Sequence, residues 1–533
     1  MSDSFTETPI TDPHGLARNA SIIALGHVAS RGLGFVREFV KSRLFGAGAQ
    51  VDALNLAIAI PLQIYDLVTG GLVNSALVPV FSQYTSDERR AELWRLASTV
   101  LTLAAASISA LIAGLILFAP QVVAAFAFIG GLAGGQTHPE SLTTAVELLR
   151  LTLPAVVCLS LSGILTGLLY ALKRFTLPAF TAAVFNASMV VVSLALAEVW
   201  GVRAMALGLL LGAALQVILQ LPALRDGLAS LRPQLTLHHP GLRLIFNAYI
   251  PIIISLLVNQ VGVYFGLSVA FGFENGLSWM GYATNLYQFP LGLVGVAVSA
   301  AILPTLAGQA SRALSGDFKL TLVQGINLVL LLMVPATVGM FLLAEPIVAL
   351  AFQGGRFTPA DTLRTAQVLR WFLFGLSFAA VDLLFINAFY AINDTLTPSS
   401  VGVFTIIIYV VVVFLARPGL GLLSLMLADS IKQMAHALIT GGLLSRRLGG
   451  FRGTALWPTL MKIGLASLIM GTVTVGALLV VQALRLPDDL PRRALSVAVP
   501  GALGFLAYFA LAVRLDISEA RLALNLIRRR LRV

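Results

Sequence analysis

Charged residues are scarce in this chain. Only 11% of its 533 residues are Asp, Glu, Lys or Arg, whereas 58% are hydrophobic, and the mean hydropathy is +0.91. Soluble domains carry about 25% charged and about 45–50% apolar residues, and they need a polar surface that this composition does not supply. The scarcity of charge therefore excludes a soluble protein and predicts an all-α integral membrane protein.

Motifs for catalysis and cofactor binding are missing as well. Cys158 is the single cysteine, so the chain cannot form an internal disulfide, and the six histidines have no metal-ligand spacing with it. There is no glycine-rich phosphate loop with its lysine and no nucleophile motif between a strand and a helix. These absences argue against an enzyme and predict no cofactor. Any transport would then be driven by a coupling ion or the membrane potential, or would run downhill.

Long apolar segments, separated by Gly, Pro and charged residues, predict fourteen transmembrane helices. They lie near residues 18–44, 50–84, 93–119, 140–172, 177–200, 203–224, 243–272, 277–310, 318–344, 360–392, 397–416, 418–445, 455–483 and 493–514.

The basic residues lie mostly on one side of these predicted spans. With the N-terminus in the cytoplasm, most Lys and Arg residues fall in cytoplasmic loops and in the C-terminal tail, as the positive-inside rule requires. The opposite loops, such as 120–139 and 272–276, contain almost none. An even number of spans then places both termini in the cytoplasm. Because the net charge of +11 is dispersed over short loops, it does not indicate a nucleic-acid partner.

Three short motifs recur in the same order and at nearly the same separation along the chain. The matching pairs are Val73–Pro79 with Val298–Pro304, Pro120–Gly131 with Pro346–Gly355, and Leu169–Ala171 with Phe389–Ala391. A repeat of six helices keeps its orientation in the membrane, which predicts two parallel six-helix lobes around a cavity that opens alternately to each side. The last two helices are then an addition to the duplicated core.

Ionisable side chains inside predicted spans indicate where that cavity lies, because each costs about 2.5–3.5 kcal/mol or more at a helix centre. Helix 1 contains Arg31 and Arg37 in mid-span, and we interpret both as cavity residues. In the second half, Asp382, Asp429 and Lys432 predict a structural ion pair between helices.

Several motifs together resemble the MurJ (MviN) family of lipid II flippases. They are Ser30–Glu38, Phe45–Gly48, Val51–Ala53, Ala76–Phe81, Gln288–Pro290 with Gly292 and Gly295, Ile302–Pro304, and Phe352–Thr358. The resemblance implies the fold of the multidrug/oligosaccharidyl-lipid/polysaccharide exporter superfamily, with two six-helix lobes and two helices that form a lipid-facing groove. It also implies transfer of an undecaprenyl-pyrophosphate-linked disaccharide-pentapeptide from the inner to the outer leaflet of a bacterial cytoplasmic membrane.

The same resemblance implies the residues of the substrate site. Arg31 and Arg37 would bind the pyrophosphate, because a guanidinium group offers hydrogen bonds matched to phosphate oxygens at any pH, and Asp52 would be their acidic partner. Tyr65 stands where the family commonly has Arg, and Asn285 and Gln288 stand where helix 8 usually has Arg and Glu. The cavity therefore has fewer charges of both signs than is usual in the family.

The predicted organisation follows from the spans and the resemblance. It comprises a cytoplasmic tail over 1–17, an N-lobe over 18–228, a C-lobe over 241–447, two helices over 455–514 beside the substrate's lipid tail, and a basic tail over 515–533. The basic tail is expected to bind anionic lipid, and the protein to act as a monomer. Two alternatives stay open. One is an ion-coupled exporter of another lipid-linked glycan or an amphipathic small molecule, and the other is a non-transporting paralogue that serves as a membrane scaffold.

Overall fold

The structure is a computed structural model that describes residues 13–69, 71–310, 316–451, 453–484, 487 and 489–521. Within these residues the chain forms twenty α-helices and no strand, which confirms the all-α prediction. In chain order, α1 to α20 span Pro13–Phe45, Ala49–Thr69, Val78–Ser82, Arg90–Leu117, Ala119–Leu132, Pro139–Thr152, Ala155–Ala171, Thr176–Ala179, Thr181–Trp200, Arg203–Gln220, Pro240–Phe271, Gly276–Pro290, Val296–Ala310, Gly316–Leu342, Ala344–Phe352, Pro359–Ala391, Leu396–Leu420, Leu423–Arg447, Leu456–Ala483 and Leu490–Arg514.

Each predicted span corresponds to one long helix or to two consecutive helices. Eleven stretches of the described chain are long and apolar enough to cross a membrane, and α1, α11 and α18 lie at the three remaining predicted spans. Within the described residues, helix α1 is already present at Pro13, ahead of the predicted start of its span at residue 18.

The structure corrects the end of one predicted span and shows a helix that was predicted to be a loop. The sequence analysis ended span 11 before Pro418, but α17 continues through this proline to Leu420. A proline removes a single backbone donor, which a membrane helix tolerates. The helix ends instead where Gly421 adopts a φ of +53°. Most of the segment 120–139, treated as a loop, is the fourteen-residue helix α5. It was missed because it is too short to cross a bilayer.

The chain divides into two compact units. The first contains the residues up to Phe45, Ala49–Ala125 and His138–Gln260, and the second contains Gly46–Gly48, Phe126–Thr137 and the residues from Val261 onward. In the first unit, α9 packs against α1 and α10, and α2 packs against α6 and α7. In the second, α16 packs against α12, α14 and α18, while α19 packs against α20 and α14.

Helix ends recur at one constant interval along the chain, which is the separation between Ala171 and Ala391. Helix α7 ends at the first of these residues and α16 at the second, and shortly after them Lys173 and Asn393 have φ values of +59° and +58°. The next pair of helices, α9 and α17, are followed at the same interval by glycines that have φ values of +55° (Gly201) and +53° (Gly421). The internal repeat that the short motifs indicated is therefore also present in the backbone.

Two ion pairs lie at similar places in this repeat with their signs exchanged, although the interval places Asp226 opposite Arg446, one residue before Arg447. In the first unit Arg174 pairs with Asp226. In the second unit Asp394, which stands at the position equivalent to Arg174, pairs with Arg447 at 2.7 Å. Arg174 holds the pKa of Asp226 below its ordinary value. The first pair links the segment after α7 to a turn beyond the end of α10, and the second links the segment after α16 to the last residue of α18.

One helix of each unit is interrupted by a π-helical turn. In the first unit, α2 is followed by Gly71 with a φ of +78° and by the π turn Val73–Leu77. In the second, the π turn Leu291–Gly295 begins directly after Pro290, whose missing N–H removes one helical hydrogen bond. Single π turns within α-helices are frequent at functional sites.

Candidate substrate-binding site

A buried charge cluster lies in the C-terminal half of α1. The side chains of Glu38 and Lys41 are 4% and 5% exposed, and that of Arg37 is 20% exposed. Arg37 donates from Nε and Nη2 to Glu38 Oε1 at 3.1 and 2.9 Å, and Lys41 forms an ion pair with Glu38 Oε2. The carboxylate of Glu38 therefore forms ion pairs with two cations.

Each of these two cations also binds an asparagine on a different helix. Arg37 Nη1 donates to Asn186 Oδ1 of α9 at 2.9 Å, and Lys41 Nζ donates to Asn55 Oδ1 of α2 at 3.0 Å. Asn186 is held in turn by its own Nδ2, which donates to Ala182 O at 3.0 Å. The cluster thus fixes α1 against two neighbours and orients the guanidinium of Arg37.

The remaining predicted residues of the first unit lie in different surroundings. Arg31 is an exposed residue of α1 and forms no ion pair with any residue that the structure describes. Asp52 is 3% exposed near the start of α2, and its charge acts on the Lys41 amine. Tyr65 lines a cavity of about 190 Å³ together with His27 and Ser30. The structure thus places Asp52 beside the charge cluster, whereas Arg31 lies outside it.

A second cavity, of about 300 Å³, lies within the second unit. It is lined by Gln288 of α12 and by the Asp429–Lys432 pair of α18, whose charged atoms are 2.6 Å apart. The hydroxyl of Tyr287, also in the lining, is buried and finds no hydrogen-bond partner among the described residues. Asn285 instead donates to Gly281 O of its own helix at 3.0 Å. An ion pair and an available hydroxyl therefore share one cavity.

The predicted ion pair between helices was wrong in its partners. Asp429 and Lys432 pair within α18, because residues three apart share a helix face. Asp382 of α16 pairs with His436, one turn after Lys432. Sequence analysis had not selected His436. The signal that could have found it is the spacing of Asp429, Lys432 and His436 along one face of α18.

An apolar groove of about 490 Å³ runs along the second unit. It is lined by residues of α14, α16 and α18 and by the first turns of α19, where Trp457 and Leu460 contribute. Helix α20 does not line it. That helix is fixed to α14 by Tyr508, whose hydroxyl donates to Leu331 O at 2.7 Å.

Most of the basic tail over 515–533 lies outside the described residues, and Arg521 pairs with Asp516 at 2.8 Å. Among the residues that are described, no three His, Cys, Asp or Glu side chains are grouped so that they could hold a metal ion.

The decisive comparison is with families of known proteins. The family model described as "Lipid II flippase MurJ" matches residues 41–493. The chain belongs to the MurJ family. Asp52, Tyr65, Asn285 and Gln288 lie within the matched stretch, whereas Arg31 and Arg37 precede it.

Individual MurJ relatives match over most of their length. The probable lipid II flippase MurJ of Vibrio cholerae is 29% identical over 527 residues, covering 95% of this chain and 98% of the relative. The probable lipid II flippase MurJ of Haemophilus influenzae is 30% identical over 396 residues, covering 71% of this chain and 76% of the relative.

Solved structures show the same fold. A lipid II flippase MurJ in an inward closed conformation is similar with a TM-score of 0.75 at 22% identity, over 92% of this chain and 97% of that one. An inward-facing transporter of the multidrug MATE family is similar with a TM-score of 0.64 at 16% identity, over 80% of this chain and 96% of that one. The fold expected for this MurJ family member is therefore confirmed, while the roles of its site residues stay predictions.

Proposed function

We propose that this protein is a lipid II flippase, which moves the lipid-linked peptidoglycan precursor from the inner to the outer leaflet by alternating access. The match of the MurJ family model to residues 41–493 carries the proposal. As a member of a transporter family, it acts by moving its substrate across the membrane.

The head group of the substrate needs cations that can reach phosphate oxygens. Arg31 is exposed and has no ion-pair partner among the described residues, so it binds the pyrophosphate without losing another contact of that kind. Arg37 is different, because it already donates two hydrogen bonds to Glu38. A phosphate therefore competes with Glu38 for Arg37, which makes this contact weaker and easier to release at the end of the cycle.

The lipid tail needs an apolar surface that stays in contact with the bilayer. The groove along α14, α16, α18 and the start of α19 offers that surface, with Trp457 among its lining residues. We assign the polyprenyl chain to this groove and the saccharide to the interior of the protein. The same proposal places the protein in the bacterial cytoplasmic membrane as a monomer, with both termini in the cytoplasm and the basic tail on anionic lipid.

Depletion of the protein in its own host tests the function directly. Lipid-linked precursor is then labelled separately in each leaflet, and the expected result is accumulation on the cytoplasmic face. A normal distribution between leaflets, in cells that contain no second flippase, would contradict the proposal and favour another lipid-linked glycan or a scaffold role.

Charge reversal tests the two arginines in the same cells. Arg31→Glu and Arg37→Glu should each fail to restore precursor export although the protein is present at normal abundance in the membrane. Arg225→Glu is the matched control, because Arg225 has an 86% exposed side chain, and it should restore export fully. Full export by either site variant would remove that arginine from the substrate site.

A further inference from the structure

A buried polar group in the second unit joins three helices. His436 of α18 has its Nδ1 atom 2.8 Å from Asp382 Oδ1 of α16 and its Nε2 atom 3.2 Å from the carbonyl oxygen of Pro398 in α17. Thr440 Oγ1, also in α18, lies 3.0 Å from the same Asp382 oxygen. The side chains of Asp382 and His436 are only 8% and 12% exposed.

The two contacts of His436 determine how many protons this group holds. A carbonyl oxygen only accepts hydrogen bonds, so the contact with Pro398 requires a proton on Nε2. A neutral imidazole carries one proton, and Nδ1 would then be an acceptor that faces a carboxylate oxygen at 2.8 Å. Two acceptors at that distance repel each other. The observed geometry therefore requires a second proton between Nδ1 and Oδ1, on either the imidazole or the carboxyl group.

Other charges near His436 do not replace that proton. Lys432, one turn earlier in α18, is the other charged residue that acts on the ring, and Asp429 neutralises it at 2.6 Å. Before α17, Asp394 is paired with Arg447. From α17 itself the ring faces the Pro398 carbonyl and Gly402, and α16 contributes Asp382.

The corresponding positions in the first unit hold a group that cannot titrate. The interval that relates Ala171 to Ala391 also relates Ser162, Gln216 and Gln220 to Asp382, His436 and Thr440, in that order. Gln220 Nε2 donates to Ser162 Oγ at 2.7 Å, and Ser162 Oγ donates to Gln216 Oε1 at 3.2 Å. Amides and hydroxyls satisfy these bonds at any pH, so only the second unit has ionisable groups at this place.

We propose that Asp382 and His436 form a proton-binding site that couples transport to a proton gradient. The step takes one proton from water to form the shared N–H or O–H bond and returns it to water on release. Without it, either the Asp382 contact or the Pro398 contact becomes a contact between two acceptors, and the packing of α16, α17 and α18 around His436 must change. This assignment rests on the proposed transport function, since a gradient can act only on a transport cycle.

Reconstituted vesicles test the coupling. Lipid II flipping by the full chain is measured at fixed membrane potential, with and without a pH gradient. We expect the gradient to change the wild-type rate several-fold and to leave the rates of Asp382→Asn and His436→Gln unchanged. His436→Gln introduces the side chain that the first unit accommodates at Gln216, which guards against loss of folding. Ser162→Ala in the first unit is the control and should keep the response. A wild-type rate that ignores the gradient, or variants that keep the response, would overturn the proposal.

A second measurement tests the site even if no lipid II moves. Nitrogen NMR of the histidine-labelled full chain identifies the His436 signals by their loss in His436→Gln. Wild-type Nδ1 should share a proton at neutral pH and lose it as the pH is raised above neutral. In Asp382→Asn the amide donates a hydrogen, so Nδ1 should already be a plain acceptor at neutral pH. Identical Nδ1 signals in the two proteins would overturn the site, whereas absent flipping with the expected signals would overturn only the transport function.

Discussion

Glu38 is the residue on which the charge balance of α1 depends. It is 3% exposed and pairs with both Arg37 and Lys41. A buried ion pair adds little stability compared with an apolar pair, but removing one partner leaves an uncompensated buried charge, which costs about 3–5 kcal/mol.

We therefore expect Glu38→Gln to lower the Tm of the purified protein clearly, because Lys41 loses its ion pair in a buried site. Glu92→Gln is the matched control. It breaks an exposed pair with Arg89, and exposed pairs contribute about 0–1 kcal/mol. Thermal unfolding in detergent compares the two. Equal Tm values would show that Glu38 does not stabilise the cluster.

Asp394 gives a residue-scale prediction about pH. Hydrogen bonds from Thr397 and the nearby Arg447 hold the pKa of Asp394 below its ordinary value. A lowered pKa means that the carboxylate stabilises the fold above its ordinary pKa, and that this contribution is lost as the pH falls through the lowered value.

Asp394→Asn should therefore destabilise the protein at neutral pH by up to about 1 kcal/mol, because the neutral amide cannot form the ion pair with Arg447. The difference in Tm from the wild type should shrink as the pH is lowered from about 5 to about 3. Asp87→Asn, at a side chain that is 97% exposed, should change little at any pH. A difference that stays constant with pH would contradict the assigned cause.

At the scale of the helices, the ends constrain the sequence more tightly than the interiors. Gly421 ends α17 with a φ of +53° and a ψ of −126°, a conformation that is essentially restricted to glycine. Gly419, two residues earlier, is helical and has open space where a Cβ would lie.

Gly421→Ala should consequently destabilise the protein by about 1–3 kcal/mol. Gly419→Ala should leave stability unchanged or raise it by up to about 1 kcal/mol, because alanine favours the helix. The two substitutions add the same methyl group within one turn, so a Tm measurement isolates the backbone effect. A Tm that falls equally for both would show that crowding, and not φ, is responsible.

The sequence was informative about long helices and poor on short and irregular ones. Apolar length located each span, since a membrane helix must bury about twenty residues in lipid. The same criterion missed α5 and α15, which are too short. It also missed the π turn after Pro290, because proline signals an interruption without specifying its form.

The candidate site was only partly predictable for a related reason. The sequence analysis identified Arg37 as a charged residue in mid-span, but the structure was needed to show that Glu38 and Asn186 hold it. Contacts such as Asp382 with His436 join residues 54 positions apart. No local pattern specifies which side chains of two separate helices meet.

At the scale of the whole molecule, the even number of spans predicts where the termini lie. Because Cys158 is the single cysteine, Cys158→Ser gives a cysteine-free background. A cysteine placed at Ser4 or at Val533 should then react with a membrane-impermeant thiol reagent only after the cells are opened. Thr137→Cys, in a segment predicted to face the opposite side, should react in intact cells. Labelling of either terminus in intact cells would contradict the topology.

The ion pairs with exchanged signs indicate how the two halves of the repeat have diverged. If one half arose as a copy of the other, the residue at the position shared by Arg174 and Asp394 has changed its charge in at least one half. Such a change keeps an ion pair only if the partner residue has the opposite charge as well. Arg174 and Asp226 lie in one unit, and Asp394 and Arg447 lie in the other. Each unit therefore balances these charges with its own residues and does not depend on the other unit for an ion-pair partner.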